Sequence, residues 1–232
     1  MLVRLTNDQL VALAAGLGVD GFPGAASALL DRLPPQERTS VATALLDTLE
    51  AVGLLVHDTG QVVVDPDLAM LLLPLLEGDA WVVERTEDER RTTTLVAQLD
   101  GVVVVHSANG SMHTLERADD LIAVLLDLID ASDEEPQATR PLQHRRSGLL
   151  DRPTLRPTVE SWRATTTLQR LSTPAAVEKA GVIDGGPGRV WWVTLDPDAD
   201  DALEDDPTLL AVPAGAGALG TLLTHWAGAA VH

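Results

Sequence analysis

The apolar positions near the start of the chain fall at helical spacing between strong stop and start signals. Thr6-Asn7-Asp8-Gln9 has the form of a capping box, in which a threonine hydroxyl and a glutamine amide satisfy backbone donors reciprocally. Leu10, Leu13, Ala14 and Leu17 follow on one stripe, and Gly16 and Gly18 end it. After the Asp20-Gly21-Phe22-Pro23-Gly24 turn, a short helix is predicted over 25–33. Pro34-Pro35 break it, and Pro35 can open the next helix at a position that needs no N–H. That helix carries Val41, Ala44, Leu45, Thr48, Leu49 and Val52 on one stripe and ends at Gly53. Two short strands are predicted over 54–57 and 61–64, joined through Asp58-Thr59-Gly60. Asp65-Pro66 supplies an N-cap and a first-turn proline for a leucine-rich helix over 66–76, which Pro74 can bend. Three helices and a small β-wing are the outline of a winged-helix unit over 1–78. The same outline fits a purely structural helical module.

Beyond residue 79 the period changes from helical to alternating. Strands are predicted over 92–99, 102–108 and 111–116, with 81–85 as a further candidate. Asp100-Gly101 and Asn109-Gly110 favour two-residue type I′ turns, and such turns set register. Leu99 is then expected opposite Val102 and Leu95 opposite His106, while His106 faces His113 and Val104 faces Leu115. One face carries Leu95, Ala97, Leu99, Val102, Val104 and Leu115 with the histidines at its edge. A helix over 118–129 is expected to cover it. The other face mixes Val96, Val103, Val105 and Met112 with polar residues, the composition of a wet face or of a partner site.

Residues 131–157, rich in acids and prolines, read as an exposed connection. The stretch 136–170 holds seven arginines and two acids on an otherwise acidic chain. It reads either as a linker lying on acidic surfaces of its own protein or as a basic docking peptide. Over 158–171 the pattern does not decide: Thr165-Thr166-Thr167 favours a strand, while Val159, Trp162 and Thr166 suit a helix. A short helix starting at Thr173-Pro174, strands over 189–195 and 209–213, and a helix over 219–226 follow. The order strand, strand, helix at 102–129 thus recurs at 189–227, which suggests a degenerate internal duplication. The expected fold class is α+β. An N-terminal helical winged-helix-like unit is followed by two pseudo-repeated antiparallel sheet-plus-helix halves. The first half is 1–130 (1–78, then a β-meander plus helix at 79–130), the linker 131–157, and the second half 158–232.

Charge and composition narrow the function classes. The 232 residues are 45% hydrophobic, enough for a real core, and this excludes disorder. A net charge of −19 repels phosphate backbones and argues against a general nucleic-acid binder or a basic membrane-surface helix. The polar side of the helix after Pro35 adds one arginine, Arg38, against three carboxylates, too little to grip phosphates. Zero cysteines exclude disulfides and thiol chemistry. The start of the chain lacks signal-peptide features and no apolar run reaches the roughly 18–20 residues of a membrane span, so a soluble cytoplasmic protein is expected.

No constellation reads as a catalytic centre. Gly215-Ala216-Gly217-Ala218-Leu219-Gly220 matches a dinucleotide-binding pattern, but neither a further strand nor a ribose-binding acid can follow it, so it reads as a flexible strand-to-helix turn. Asp196-Pro197-Asp198-Ala199-Asp200-Asp201 begins like a calcium loop, then has Asp201 where glycine is needed and Pro207 where a bidentate glutamate is needed. His106 and His113 are two potential ligands, and zinc takes at least three. No cofactor and no metal is therefore assigned.

Several local features do match a known family. They are Gly16-Leu17-Gly18 at a helix end, Glu37-Arg38 in a helix closing on Val52-Gly53-Leu54, and the run from Gly60 through Val64-Asp65-Pro66-Asp67-Leu68-Ala69. The hairpin from Val103 to Asn109-Gly110 before a helix completes them. This order resembles the EspG family of actinobacterial type VII secretion-associated proteins, most clearly over 5–130. The resemblance implies a pseudo-two-fold α+β fold. It also implies a non-enzymatic cytosolic chaperone that binds helical PE–PPE-type secretion substrates before export. The competing classes are a winged-helix regulator and an enzyme of unrecognised type.

A partner surface is expected on a half-apolar sheet face. Trp191 and Trp192 point to opposite sides of the strand over 189–195, and both cannot face one interior. One of these half-apolar faces is then expected to dock a partner helix, with Trp192 as the leading aromatic anchor and Val96, Val103, Val105 and Met112 as the corresponding surface of the first half; the alternative is that another element of the chain covers them.

Overall fold

Strand β1 (Leu2–Thr6) runs directly into helix α1 (Asn7–Leu17), and the capping box forms as expected. The Gln9 amide donates to Thr6 Oγ1 at 3.2 Å and the Thr6 amide donates to Gln9 Oε1 at 2.8 Å. Gly18 ends the helix at φ 71°, a left-handed conformation that favours glycine. The structure, a computed structural model, describes residues 1–22, 33–58, 61–132, 134–156, 158, 161–171, 177–199 and 205–228. The helix expected over 25–33 lies, except for Leu33, outside them.

The chain divides into two compact units, one of residues 1–80 and 94–119 and the other of 81–93 and 120–232. In the first unit, α1 packs on α2 (Pro35–Ala51), which opens with Pro35 at its first turn. A hairpin of β2 (Leu55–Asp58) and β3 (Gln61–Val64) follows, then α3 (Pro66–Glu77). Asp65 caps α3 by accepting the amides of Asp67 and Leu68 at 2.9 and 3.4 Å. Pro74 sits inside this helix and is buried. At Gly78 a Cβ would run into the carbonyl oxygens of Gln98 and Pro74, so only glycine allows the helix end this close to the neighbouring strand.

The sheet of this unit has the order β1-β7-β6-β5, with β5 Arg90–Leu99, β6 Val102–Asn109 and β7 Met112–Ala118. The first turn is as expected: Leu99 pairs with Val102, and Asp100 and Gly101 both have positive φ, 49° and 79°. The second differs. Asn109 pairs with Met112, so Gly110 and Ser111 are the loop residues, and only Gly110 (φ 61°) is left-handed. That is the pattern of a type II′ turn, with glycine at its first central position. The register moves by two residues, so each side chain keeps its face. His106 is opposite Leu115, and His113 opposite Ala108.

Strand β1, absent from the sequence expectation, pairs antiparallel with β7 and buries Val3 and Leu5. Five alternating residues at a chain start were too short a pattern to read. The helix lying on β6 and β7 is α3. The helix expected there is α4 (Leu121–Ile129), which belongs to the second unit and packs on α6 (Ala216–Gly228). An apolar stripe states that a helix needs cover and leaves open which surface supplies it.

The second unit contains β4 (Asp79–Glu87, from Trp81 on), β8 (Leu142–Arg145), β9 (Ala164–Leu171), β10 (Val177–Asp184), β11 (Val190–Leu195) and β12 (Thr208–Pro213). Their order is β4-β9-β10-β11-β12-β8. The open choice over 158–171 resolves to strand from Ala164 on. Of the helix expected from Thr173 to before Gly181, residues 173–176 lie outside the described residues, and 177–180 are instead the start of β10, paired with β9 from Val177↔Leu171 to Asp184↔Ala164. Ala180 and Val182 are buried, and this β-ladder with two neighbours outweighs local helix preference.

The exposed connection expected over 131–157 is also corrected in its second part. Leu142–Arg145 forms β8 on the edge of β12, and α5 (Arg146–Leu149) follows at once. Leu149 and Leu155 are buried with Trp191 and Ala211 in one core cluster. Leucines spaced among arginines and prolines supply this anchor, and composition alone hides it. Taken together, helices and antiparallel strands make an α+β fold.

Candidate partner-binding surfaces

The five residues expected to meet a partner divide in the structure. Val96 pairs with Val105, Gln98 with Val103 and Asn109 with Met112, so the four first-unit residues share one sheet face, as the alternation requires. Val96 and Val103 are 0% and 1% exposed, Val105 is half-buried, and Met112 is 40% exposed. Only Val105 and Met112 are thus open to contact.

Trp192 is 3% exposed, which corrects its assignment as an exposed anchor. It lies edge-on to Trp226 of α6, with ring centroids 6.0 Å apart. Trp191, on the opposite face, is 2% exposed and donates from Nε1 to Thr158 Oγ1 at 3.0 Å. The two tryptophans do face opposite sides, but each face of β11 has its own cover within the chain, so both are core. The α6-covered face also buries Arg170, whose Nη1 donates to the Ala227 carbonyl at 3.1 Å and whose guanidinium stacks 5.7 Å from the Trp81 ring centroid.

The histidines meet, although not as opposite residues. His106 and His113 are diagonal neighbours on β6 and β7, stacked with centroids 5.1 Å apart. His113 Nε2 is 3.1 Å from Asn7 Oδ1, an acceptor, so His113 donates there and accepts at Nδ1 from His106 Nε2 at 2.8 Å. Both rings are neutral in this relay. Burial, then the neighbouring His113, pushes the His106 pKa down to about 4, and burial lowers that of His113. Among the described residues no group of three or more His, Cys, Asp or Glu is placed to hold a metal ion.

Described residues of the second unit also form two concave surfaces. A polar one of about 530 Å³ is lined by Arg85, Glu87, Asp88, Arg90 and Thr92. Two of its charged groups, Arg85 and Glu87, already hold each other. Arg85 holds Glu87 at 2.9 Å and Asp130 at 3.3 Å, and it donates to the Ile129 carbonyl at the end of α4.

The other is an apolar groove of about 220 Å³ on the Trp191 face of the sheet. Gly181, Ile183, Val193 and Leu209 form its floor, and Leu149, Leu150 and Arg146 one bank. The sequence reading missed this groove. Its signal was the arginine-rich stretch, whose folded part is that bank. Arg146 stands beside Asp206, whose carboxylate is held below the usual range by the hydroxyl and amide of Ser147, each at 2.8 Å.

Comparison with known proteins yields a structural likeness without a sequence match. No protein-family model matches the chain. No curated protein matches it either. Its fold is similar to that of the Mycobacterium tuberculosis type VII secretion system chaperone EspG5, solved in complex with the PE25–PPE41 dimer. The TM-score is 0.59 at 13% identity, over 95% of this chain and 94% of that one. The chain thus has an EspG-like fold. Among the described residues no helix is long and apolar enough to cross a membrane.

Proposed function

We propose that this protein is a non-enzymatic, protein-binding chaperone that holds a helical secretion substrate of the PE–PPE type in the cytosol before export. The observation that carries this reading is the extent of the likeness to EspG5, which covers nearly the whole of both chains instead of one shared motif. Fold alone does not define function, so the site must support it. The apolar groove, and the exposed Met112 beside half-buried Val105, are surfaces that suit side-chain docking.

The pseudo-two-fold arrangement belongs to the same proposal. The order β6, β7, α4 is repeated by β11, β12, α6, and α4 and α6 pack on each other, with Gly220 facing Leu126. Two helices at equivalent places in a duplicated plan would meet in this way. The test is co-expression with PE–PPE pairs from a type VII system, followed by size-exclusion chromatography with light scattering. A stable ternary complex is expected with at least one pair. A chain that elutes alone in every combination sinks the reading.

A further inference from the structure

The geometry points to the groove beside α5, on the Trp191-bearing face of the second unit's sheet, as a docking site for an amphipathic helix of a protein partner, with its apolar stripe flanked by Asp and Glu. This rests on the protein-binding reading above and adds the place of contact and its chemistry.

The first observation is where the charges are. Alternation along β9 to β12 and β8 assigns Thr165, Thr167, Gln169, Leu171, then Lys179, Gly181 and Ile183 to this face. Trp191, Val193 and Leu195 join them, with Leu209, Ala211 and Pro213, and Leu142 and His144 from β8. The chain has 35 acidic residues, yet none stands on this face of these five strands; on the neighbouring β4 the alternation from Trp81 puts Glu84 there, paired with Arg91 at 2.5 Å. On β8 to β12 the charged residue of this face is Lys179, the one lysine of the chain.

The second observation is the bank. After α5 the chain turns over Trp191, with the Arg152 amide donating to the Leu149 carbonyl and the Arg156 amide to the Arg152 carbonyl. Leu149 and Leu155 point into the core, and Arg146, Arg152 and Arg156 are exposed on the same short segment. The side chains of Arg152 and Arg156 have no partner among the described residues. Asp151 is the one acid on this bank, and Asp206 is already engaged by Ser147. Arg146 lines the groove itself, and Arg152 and Arg156 follow it on the exposed segment that continues that bank, so an apolar stripe with an acidic flank is the complement.

A helix fits better than a strand, because the floor is a sheet face and offers no unpaired backbone. The opposite face is covered in the same manner by α6. The −19 charge of the chain opposes an acidic partner at long range, but physiological salt screens it beyond about 8 Å. Within that distance the local arginines decide.

The test uses the full chain and two fluorescein-labelled helical peptides of about 20 residues, long enough for ~30 Å of helix. Both carry the same leucine stripe, one flanked by glutamates and the other by lysines, and binding is read by anisotropy at physiological salt. The glutamate peptide should bind about ten-fold more tightly. The combined charge reversal R146E/R152E/R156E should remove that preference. Gly181→Leu should weaken both peptides, since a Cβ there meets only ordinary contacts at 3.8 and 3.9 Å and the longer side chain rises into the groove. Circular dichroism checks that each variant is folded.

Equal binding of the two peptides, or indifference to both variants, overturns the proposal. Tighter binding of phosphatidylglycerol vesicles or duplex DNA than of the glutamate peptide also overturns it, as does groove-dependent self-association. Co-expression with a PE–PPE pair separates the two readings. Equal capture by wild type and the arginine variant leaves the chaperone reading standing and removes the groove. Glutamate-peptide binding without capture of any pair keeps the groove and removes the chaperone reading.

Discussion

In the first unit, β5, β6 and β7 are joined by two-residue turns, and the buried sheet face holds two uncharged histidines. In the second, five residues separate the paired ends of β9 and β10, five separate those of β10 and β11, and an acidic loop separates β11 from β12. There the large buried groups include Trp81, the adjacent Trp191 and Trp192 on opposite faces of β11, and Arg170. The difference teaches where structural information resides. Asp100-Gly101 writes a register into four neighbouring residues, because left-handed backbone is accessible to few side chains. The longer connections write none, so register and burial in the second unit depend on which elements cover each face.

The sharpest way to break this comparison is to remove the covers' partners. Trp191→Ala and Trp192→Ala should each destabilise the protein by about 3–5 kcal/mol, as large aromatic truncations in a core do. Urea denaturation measures both. A cost below about 1 kcal/mol for Trp192→Ala would mean that α6 does not seal that face, and Trp192 would again be a candidate anchor.

The next effect belongs to the first unit and to pH. The folded-state pKa of His106 lies below the ordinary 6.5, at about 4. The unfolded chain therefore takes up the proton first as pH falls. The contribution to stability is complete above pH 6.5 and is lost between there and pH 4, amounting to about 3 kcal/mol at full loss. His113 adds to it in the same direction. Denaturation midpoints from pH 7 to 4 should show this slope, and His106→Gln should flatten it. An unchanged slope in the variant would place the acid sensitivity elsewhere.

Smaller effects test the local code. Gly101→Ala puts a Cβ at φ 79° and should cost about 1–2 kcal/mol. Thr6→Ala loses one side of the capping box and should cost about 1 kcal/mol. Thermal midpoints check both. Should Gly101→Ala cost nothing, the turn does not dictate register, and the contrast between the units weakens.

Much of the fold was legible because its causes are local. The caps at Thr6 and Asp65, the prolines at 35 and 66, the Asp100-Gly101 turn and the alternation of β5 to β7 each act within a few residues. The candidate site was only half legible. Alternation correctly assigned Val96, Val103, Val105 and Met112 to one face, since a strand's period is covalent geometry. Whether that face meets water depends on what packs over it, and no period contains that. The strand β1 was too short to register, and β10 was hidden by residues with mixed preference.

By itself, then, the sequence determined the class of the elements, the register of one turn, the face of each strand residue and the unequal distribution of charge. Only the tertiary structure decided that Trp191 and Trp192 are both core, that α3 instead of α4 lies on β6 and β7, and that the arginine-rich stretch is anchored by Leu149 and Leu155. The physical reason is that burial is a relation between segments distant along the chain. Apolar area gains the same free energy against any cover that excludes water, so its pattern states the need and leaves the partner to be chosen in three dimensions.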